Sequence, residues 1–522
     1  MQIPGIVFGS VLAPAVLMAA VTVLPQRSWA PDKQWRAFVV LASTALGCAL
    51  VSLAWQLDAS SDLRRIGGTS PLPGLAMALP GAWLAALVAF LGLVIGAFSS
   101  RYLQGEHRQP SYLRAFAGVL GVVQILLLAD HWLVLIPAWA ITASLLNRLL
   151  CFYPERPFAL LAAHKKRLAD RLADVLLLVA AATAWWEVGS GSLSALRSHL
   201  AHAPAAMPLQ VCAVCLTLAV ILRTALLPVH GWLTQVMEAP TPVSALLHAG
   251  VVNLGGFVLV RFAPLLASST AARWLLILVG MATALLAGQV MLTRVSIKVR
   301  LALSTVAQMG FMVLECGLGL YSLAMLHLLG HSLYKAHAFL SSSAVVRQSR
   351  QQMLRGRTSP STTSMLAAPL LAGAIVWLGL RTAIAAPWPL WWAGILALAW
   401  APLLWMPARP AGAGRPPLAQ WLAGPATVAA LTATAMLAHR LPFGVADSTS
   451  DVVGLAALAG FASLYLAVSL SQCRPRLLRE WRRWAYAGFF LDEFYTRAAL
   501  RFWPTRWTST ATTGSVHRST SH

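Results

Sequence analysis

The 522-residue sequence predicts an all-α polytopic membrane protein with about 13–15 transmembrane helices. Three observations carry that expectation. Only 11% of residues are charged, against roughly 25% in a soluble globular domain. Hydrophobic residues make up 58% of the chain, and the mean hydropathy is +0.70. Apolar runs of about 20 residues, each long enough to cross a bilayer as a helix, recur from end to end. The polar stretches between them are too short for a soluble domain.

Fifteen spans can be placed, at about 4–24, 37–56, 74–99, 113–129, 131–151, 172–188, 205–227, 242–264, 274–293, 299–318, 321–345, 364–383, 386–406, 417–438 and 451–471. The first lacks a basic segment before it and is read as a retained helix. The fourth and fifth divide at Asp130–His131. The 39 lysines and arginines test the count. Connections after odd-numbered spans hold 21 of them, and the segment from Arg474 holds nine more. Connections after even-numbered spans hold seven, and Arg223 and Lys335 lie within spans. This bias predicts a bacterial inner-membrane protein with the N-terminus in the periplasm and the C-terminus in the cytoplasm. The net charge of +23 is then a topology and anionic-lipid signal, not a nucleic-acid one. Cys212 and Cys215 form a C-x-x-C inside a span, where apolar packing is favoured over metal or redox chemistry.

After the last span, Arg474, Arg476, Arg482 and Arg483 lead into WAYAGFFLDEFYTRAALRFWP (484–504). Its aromatic and charged mixture predicts an amphipathic helix lying along the cytoplasmic face. Phe489, Phe490, Asp492, Glu493, Phe494 and Tyr495 are its docking residues if it seats a partner; lipid anchoring alone is the other reading. The last stretch, TSTATTGSVHRSTSH, is expected to be disordered.

Ionisable groups inside a bilayer are costly, so each one needs a reason. Arg223 lies late in an apolar run, and Pro228, Pro240 and Pro242 follow. Proline breaks the backbone hydrogen-bond ladder, and membrane transporters place such breaks at ion sites. His248 falls about two turns into the next helix, with Ser244 one turn earlier on the same face. An ion path competes there with simple packing. His327, His331 and Lys335 fall at i, i+4 and i+8 and line one helix face, about 6 Å apart, as a proton relay requires. Zinc binding by His327 and His331 is the rival, without an evident third ligand. Asp174, one turn after Asp170, is a counter-ion for Arg223 or else a helix-end partner of Arg167 or Arg171. The sequence has no Walker loop, dinucleotide turn or nucleophile elbow, so neither ATP-driven pumping nor enzyme catalysis is expected of this chain. No metal or cofactor is expected in it.

The segment LLPVHGWLTQVMEAPTPVSALLHAG resembles the central signature of the proton-conducting antiporter-like membrane subunits. That superfamily includes complex I subunits L, M and N and the large subunits of multisubunit Na⁺/H⁺ antiporters. IKVRLALSTVAQMGFM and HLLGHSLYKAHAFLSSSAVV look like its two later signatures, in order. The resemblance implies two inverted five-helix repeats, at 111–264 and 265–410, each with one broken helix. Flanking them are N-terminal helices (1–110), C-terminal helices (411–472) and the tail (473–522). It places Arg223 where the family carries a lysine and matches His248, Asp174, Lys298, His327, His331 and Lys335 to ion-path positions. Two positions depart from it. Ala140 stands where the family has glutamate, and the second broken helix, expected at 364–383, offers only Arg381 in place of a lysine.

The short chain and the aromatic tail resemble one branch, the membrane subunits of DAB inorganic-carbon accumulation complexes. That resemblance implies a large soluble zinc-binding partner, the carbonic-anhydrase-like subunit DabA, seated on the basic cytoplasmic stretches 148–171 and 347–357. Ion flow, of H⁺ or Na⁺, would drive one-way hydration of CO₂ to bicarbonate by that partner. A subunit of a cation/proton antiporter or respiratory membrane arm, and a scaffold that has lost conduction, are the alternatives.

Overall fold

Helix is the only regular structure in the computed structural model, apart from three isolated β-bridges, among the residues it describes. These are 3–25, 28–58, 72–342, 360–382, 388–408, 418–474 and 476–505. The basic stretch 347–357 and the segment 508–522 lie outside them.

The chain begins with α1 (Ile3–Thr22), α2 (Pro31–Asp58), α3 (Leu79–Tyr102), α4 (Gln109–Leu128) and α5 (Trp132–Leu150). Then come α6 (Pro157–Val188), the short α7 (Leu193–His202) and α8 (Met207–Arg223). After α8 the chain breaks into α9 (Gly231–Gln235), a 3₁₀ turn (Val236–Glu238), α10 (Thr241–Ala249), a second 3₁₀ turn (Val251–Asn253) and α11 (Leu254–Arg261). The remainder is α12 (Ala263–Ala267), α13 (Thr270–Leu292), α14 (Ile297–Gly317), α15 (Tyr321–Leu340), α16 (Thr362–Thr382), α17 (Leu390–Trp400), α18 (Leu418–His439) and α19 (Asp451–Cys473). The tail holds α20 (Arg479–Tyr486) and α21 (Leu491–Phe502). Among the described residues, helix makes up most of each of the fifteen apolar spans. Ten helical stretches are long and apolar enough to cross a membrane, and three shorter apolar helices accompany them. The division at Asp130–His131 stands between α4 and α5.

One continuous buried core runs from α1 to α15. Helices α16, α17 and α19 share a smaller one with the adjoining ends of α13, α14 and α15. Helices α13 and α14 cross closely at two glycines. A Cβ on Gly280 would come within 2.7 Å of the Gly310 carbonyl oxygen, and one on Gly310 within 2.7 Å of the Ala284 nitrogen.

Four expectations are corrected. The stretch 148–171 is not an exposed loop: from Pro157 it is the first half of α6, a helix of 32 residues, with Lys165 and Lys166 buried. The tail is not one helix. Gly488, Phe489 and Phe490 take φ of 65°, 55° and 57°, and Trp481 and Trp484 pack on Phe489 and Phe490 across the resulting turn. The span 242–264 is interrupted at Gly250–Asn253, where Asn253 donates back to the Ala249 carbonyl (3.0 Å). Conversely, 364–383 is not broken. Pro369 deprives the Met365 carbonyl of its helix donor, and the Tyr465 hydroxyl donates to that carbonyl at 2.7 Å, so α16 continues.

Candidate functional site

Among the described residues, the ionisable side chains expected on an ion path gather in two groups, one where α8 stops and one along α15. The first lies where α8 stops. The helix ends at Arg223, and Ala225 takes a φ of 54°. The Arg223 side chain is 3% exposed and pairs through Nη2 with the Asp174 carboxylate of α6. The guanidinium also lies over the Trp139 ring, 4.7 Å from its centroid, while Nε and Nη1 have no hydrogen-bond partner. One turn before Asp174, the Asp170 carboxylate accepts from Lys166 Nζ at 2.5 Å. Lys166, Asp170 and Asp174 stand at i, i+4 and i+8, so one face of α6 carries a lysine followed by two carboxylates down to the break. Helix pairing of α6 with α8 brings this face against Arg223.

The second group lines α15. His327 Nδ1 shares a hydrogen bond with Glu315 Oε2 of α14 at 2.8 Å. His331, one turn on, has its ring 6.0 Å from that of His327. Lys335, one turn further, donates to the Leu301 carbonyl (3.1 Å) and to the Ser304 hydroxyl of α14. His248 stacks on Phe339 of α15 with centroids 4.4 Å apart, is fully buried, and has both ring nitrogens unpartnered. Asn253, at the distortion after α10, donates to Ser332 at 2.7 Å and ties it to α15. Lys298, at the start of α14, donates to Thr241 Oγ1 at 3.0 Å. Glu315, His331, Lys335 and His248 are all buried within the helix bundle.

The model of the family described as NADH:quinone oxidoreductase/Mrp antiporter, transmembrane, matches residues 129–398, a stretch that contains both groups. The chain belongs to this family. Among its relatives is the probable inorganic carbon transporter subunit DabB of Hydrogenovibrio crunogenus, 38% identical over 80% of this chain and 82% of that one. The probable DabB2 subunit of Halothiobacillus neapolitanus is 35% identical over 94% of this chain and 93% of that one. These two place the chain on the DabB branch of the family. In solved structures the same fold recurs in the Mrp complex from Dietzia sp. DQ12-45-1b, with a TM-score of 0.58 and 23% identity. That likeness covers 93% of this chain and 59% of the other.

In the first group the carboxylate that faces Arg223 is Asp174. Asp170 serves Lys166 instead. Asp130 lies apart, beside α7, where it accepts from Ser194 at 2.7 Å and faces Arg197 and Arg261 at 3.6 and 3.7 Å. Arg381 lies over Trp377 at the end of α16 and joins neither group. Pro228 lies in the first break, and Pro240 and Pro242 flank the start of α10. Among the described residues, no cluster of three His, Cys, Asp or Glu side chains is placed to hold a metal ion.

The six tail residues divide. Phe490, Glu493 and Phe494 are exposed and Phe489 is covered by Trp481. Asp492 and Tyr495 instead point into the chain. Asp492 Oδ1 lies 2.5 Å from Lys165 Nζ, and the Tyr495 hydroxyl donates to the Lys165 carbonyl at 2.8 Å. Burial, with Asp170 and Asp492 nearby, pushes the Tyr495 phenol up to about 12, so it stays a donor at neutral pH. Sequence reasoning missed Lys165, Lys166 and Glu315. The signal for Lys166 was present in its spacing to Asp170 and Asp174, and that for Glu315 in a carboxylate within an apolar span.

Proposed function

We propose that this chain is the ion-translocating, proton-conducting subunit of an inorganic carbon transporter. In this reading the ion motive force is coupled to CO₂ hydration by a soluble zinc partner on the cytoplasmic face. The observation that carries it is the line Lys335–His331–His327–Glu315 with His248 beside it. A neutral imidazole accepts a proton on one nitrogen and donates from the other, and a lysine removed from water releases its proton readily. The unpartnered nitrogens of His248, His327 and His331 support a hydrated line, because each buried polar atom left unpaired costs about 1–3 kcal/mol unless water reaches it.

Arg223 has a different role. A guanidinium keeps its proton at biological pH, so it acts as a fixed charge that holds Asp174, and the carboxylates of α6 carry whatever proton traffic passes there. Lys298 extends the line towards Thr241. The two repeats, 111–264 and 265–410, would each supply one group. Similarity to DabB subunits over most of both chains supports the carbon-uptake assignment, and the hydration chemistry belongs to the partner.

The test is affinity purification of the tagged chain in detergent, with mass spectrometry and zinc analysis, alongside uptake of labelled inorganic carbon. A large soluble zinc protein in the complex, and uptake lost on Lys335→Ala with the complex intact, are expected. Recovery with antiporter-type membrane subunits and no zinc protein would transfer the chain to a cation antiporter or respiratory arm. Uptake unchanged by Lys335→Ala would leave only a scaffold.

A further inference from the structure

We propose that Asp492 of the C-terminal segment is a positioning residue of the ion route, holding the Lys165 ammonium at the first break, and not merely an anchor of the tail. The inference rests on the reading that this chain conducts ions.

The contact is built from both sides. The Lys165 side chain is 0% exposed and finds its side-chain partners on α21: Asp492 Oδ1 at 2.5 Å and Thr496 Oγ1 at 2.9 Å. Gln235, from the short helix after the break, donates to the other Asp492 oxygen at 3.4 Å. Gly231 opens that short helix, and a Cβ there would lie 1.4 Å from Asp492 Oδ1. The carboxylate therefore fills a notch that only glycine leaves open, at the place where the membrane helix is interrupted. The pair therefore sits inside the chain and not on a helix surface, where exposed ion pairs contribute little.

Charge balance gives the contact its function. Lys165, Lys166 and Arg223 are buried cations on α6 and α8, and the carboxylates facing them are Asp170, Asp174 and Asp492. Arg167, Arg171 and Glu493 are exposed and stand outside this buried set. With the tail seated, the group is neutral. With Asp492 withdrawn it carries an unmatched positive charge at the mouth of a cation path, which opposes cation entry. The tail thereby reports its own position to the first ionic group.

The experiment uses the full chain, purified with whatever subunits accompany it and reconstituted into liposomes containing a pH-sensitive dye. The rate of proton entry under an imposed potential is read with and without a sodium gradient. Asp492→Asn is expected to slow entry by about thirtyfold or more, the scale of removing one partner of a buried charge pair. Gly231→Ala, which leaves every charge in place but fills the notch, is expected to do the same. Asp492→Glu is expected to restore most of the rate. Normal rates in Asp492→Asn, with entry lost in Lys335→Ala, would overturn the inference and leave the conduction reading standing. Loss of the assembled complex in both Asp492→Asn and Gly231→Ala would show a purely structural clamp and overturn it as well. Entry that survives Lys335→Ala would remove the conduction reading, and this inference with it.

Discussion

Removing the carboxylate that faces a buried cation or an imidazole has a direct consequence, and two residues show it. Asp174→Asn leaves the Arg223 guanidinium, 3% exposed, without its carboxylate. Breaking such a pair costs about 3–5 kcal/mol, so a clear drop in the thermal midpoint of the purified protein is expected, together with loss of ion flux. An unchanged midpoint would mean that Trp139 and neighbouring groups suffice for Arg223. Glu315→Gln keeps the shape beside His327 but removes the proton acceptor. Flux is expected to fall by about a hundredfold, the scale of losing one acid–base group, with folding preserved; liposome flux measured beside circular dichroism separates the two. Both sites differ in how visible they were. Arg223, His248 and the His327–Lys335 row were legible because a charge inside an apolar run stands out. Lys165 and Lys166 were not, because they fall where the apolar run has not yet begun and charge counting assigns them to a loop.

At the level of helices, the apolar runs gave the positions well, because burial in lipid demands a minimum length and little else. The breaks were harder to read. Three prolines signalled the gap after α8, yet the interruption at Gly250–Asn253 has no proline, and Pro369 leaves α16 intact because Tyr465 caps the freed carbonyl. Proline states that one hydrogen bond is missing; whether the helix breaks depends on a residue a hundred positions away. Close packing is equally invisible in sequence until the partner is known. The α13–α14 crossing has no room for side chains at Gly280 and Gly310. Gly310→Val should force these helices apart and destabilise the protein by roughly 1–3 kcal/mol, as overpacking does. Thermal unfolding in detergent reads this directly, and a midpoint equal to that of the parent would show that the crossing adjusts freely.

Across the whole molecule, the open question of orientation has a simple handle. Cys473 ends α19 beside the basic tail and is the one exposed cysteine among the described residues. The orientation expected from the lysine and arginine bias would put it in the cytoplasm. A membrane-impermeant maleimide is therefore expected to label Cys473 in inverted vesicles and not in intact cells, with Cys473→Ser as the control. The opposite pattern would invert the topology and move any soluble partner to the other face. The fold class and the family were both legible at this scale, since hydropathy and local signatures survive without knowledge of contacts. The tail was only half legible. Its aromatic character was plain, but its inward-facing side was not, because the residues it meets lie more than 250 positions earlier in the chain.

The seating of Asp492 against Lys165 also bears on how the protein is made. Lys165 belongs to α6, whereas its carboxylate is synthesised only after α19 has emerged. A half-finished chain therefore has a Lys165 without its counter-charge, and it acquires one only when α21 docks. The order of synthesis itself would keep an incomplete molecule from leaking ions across the membrane of the growing cell.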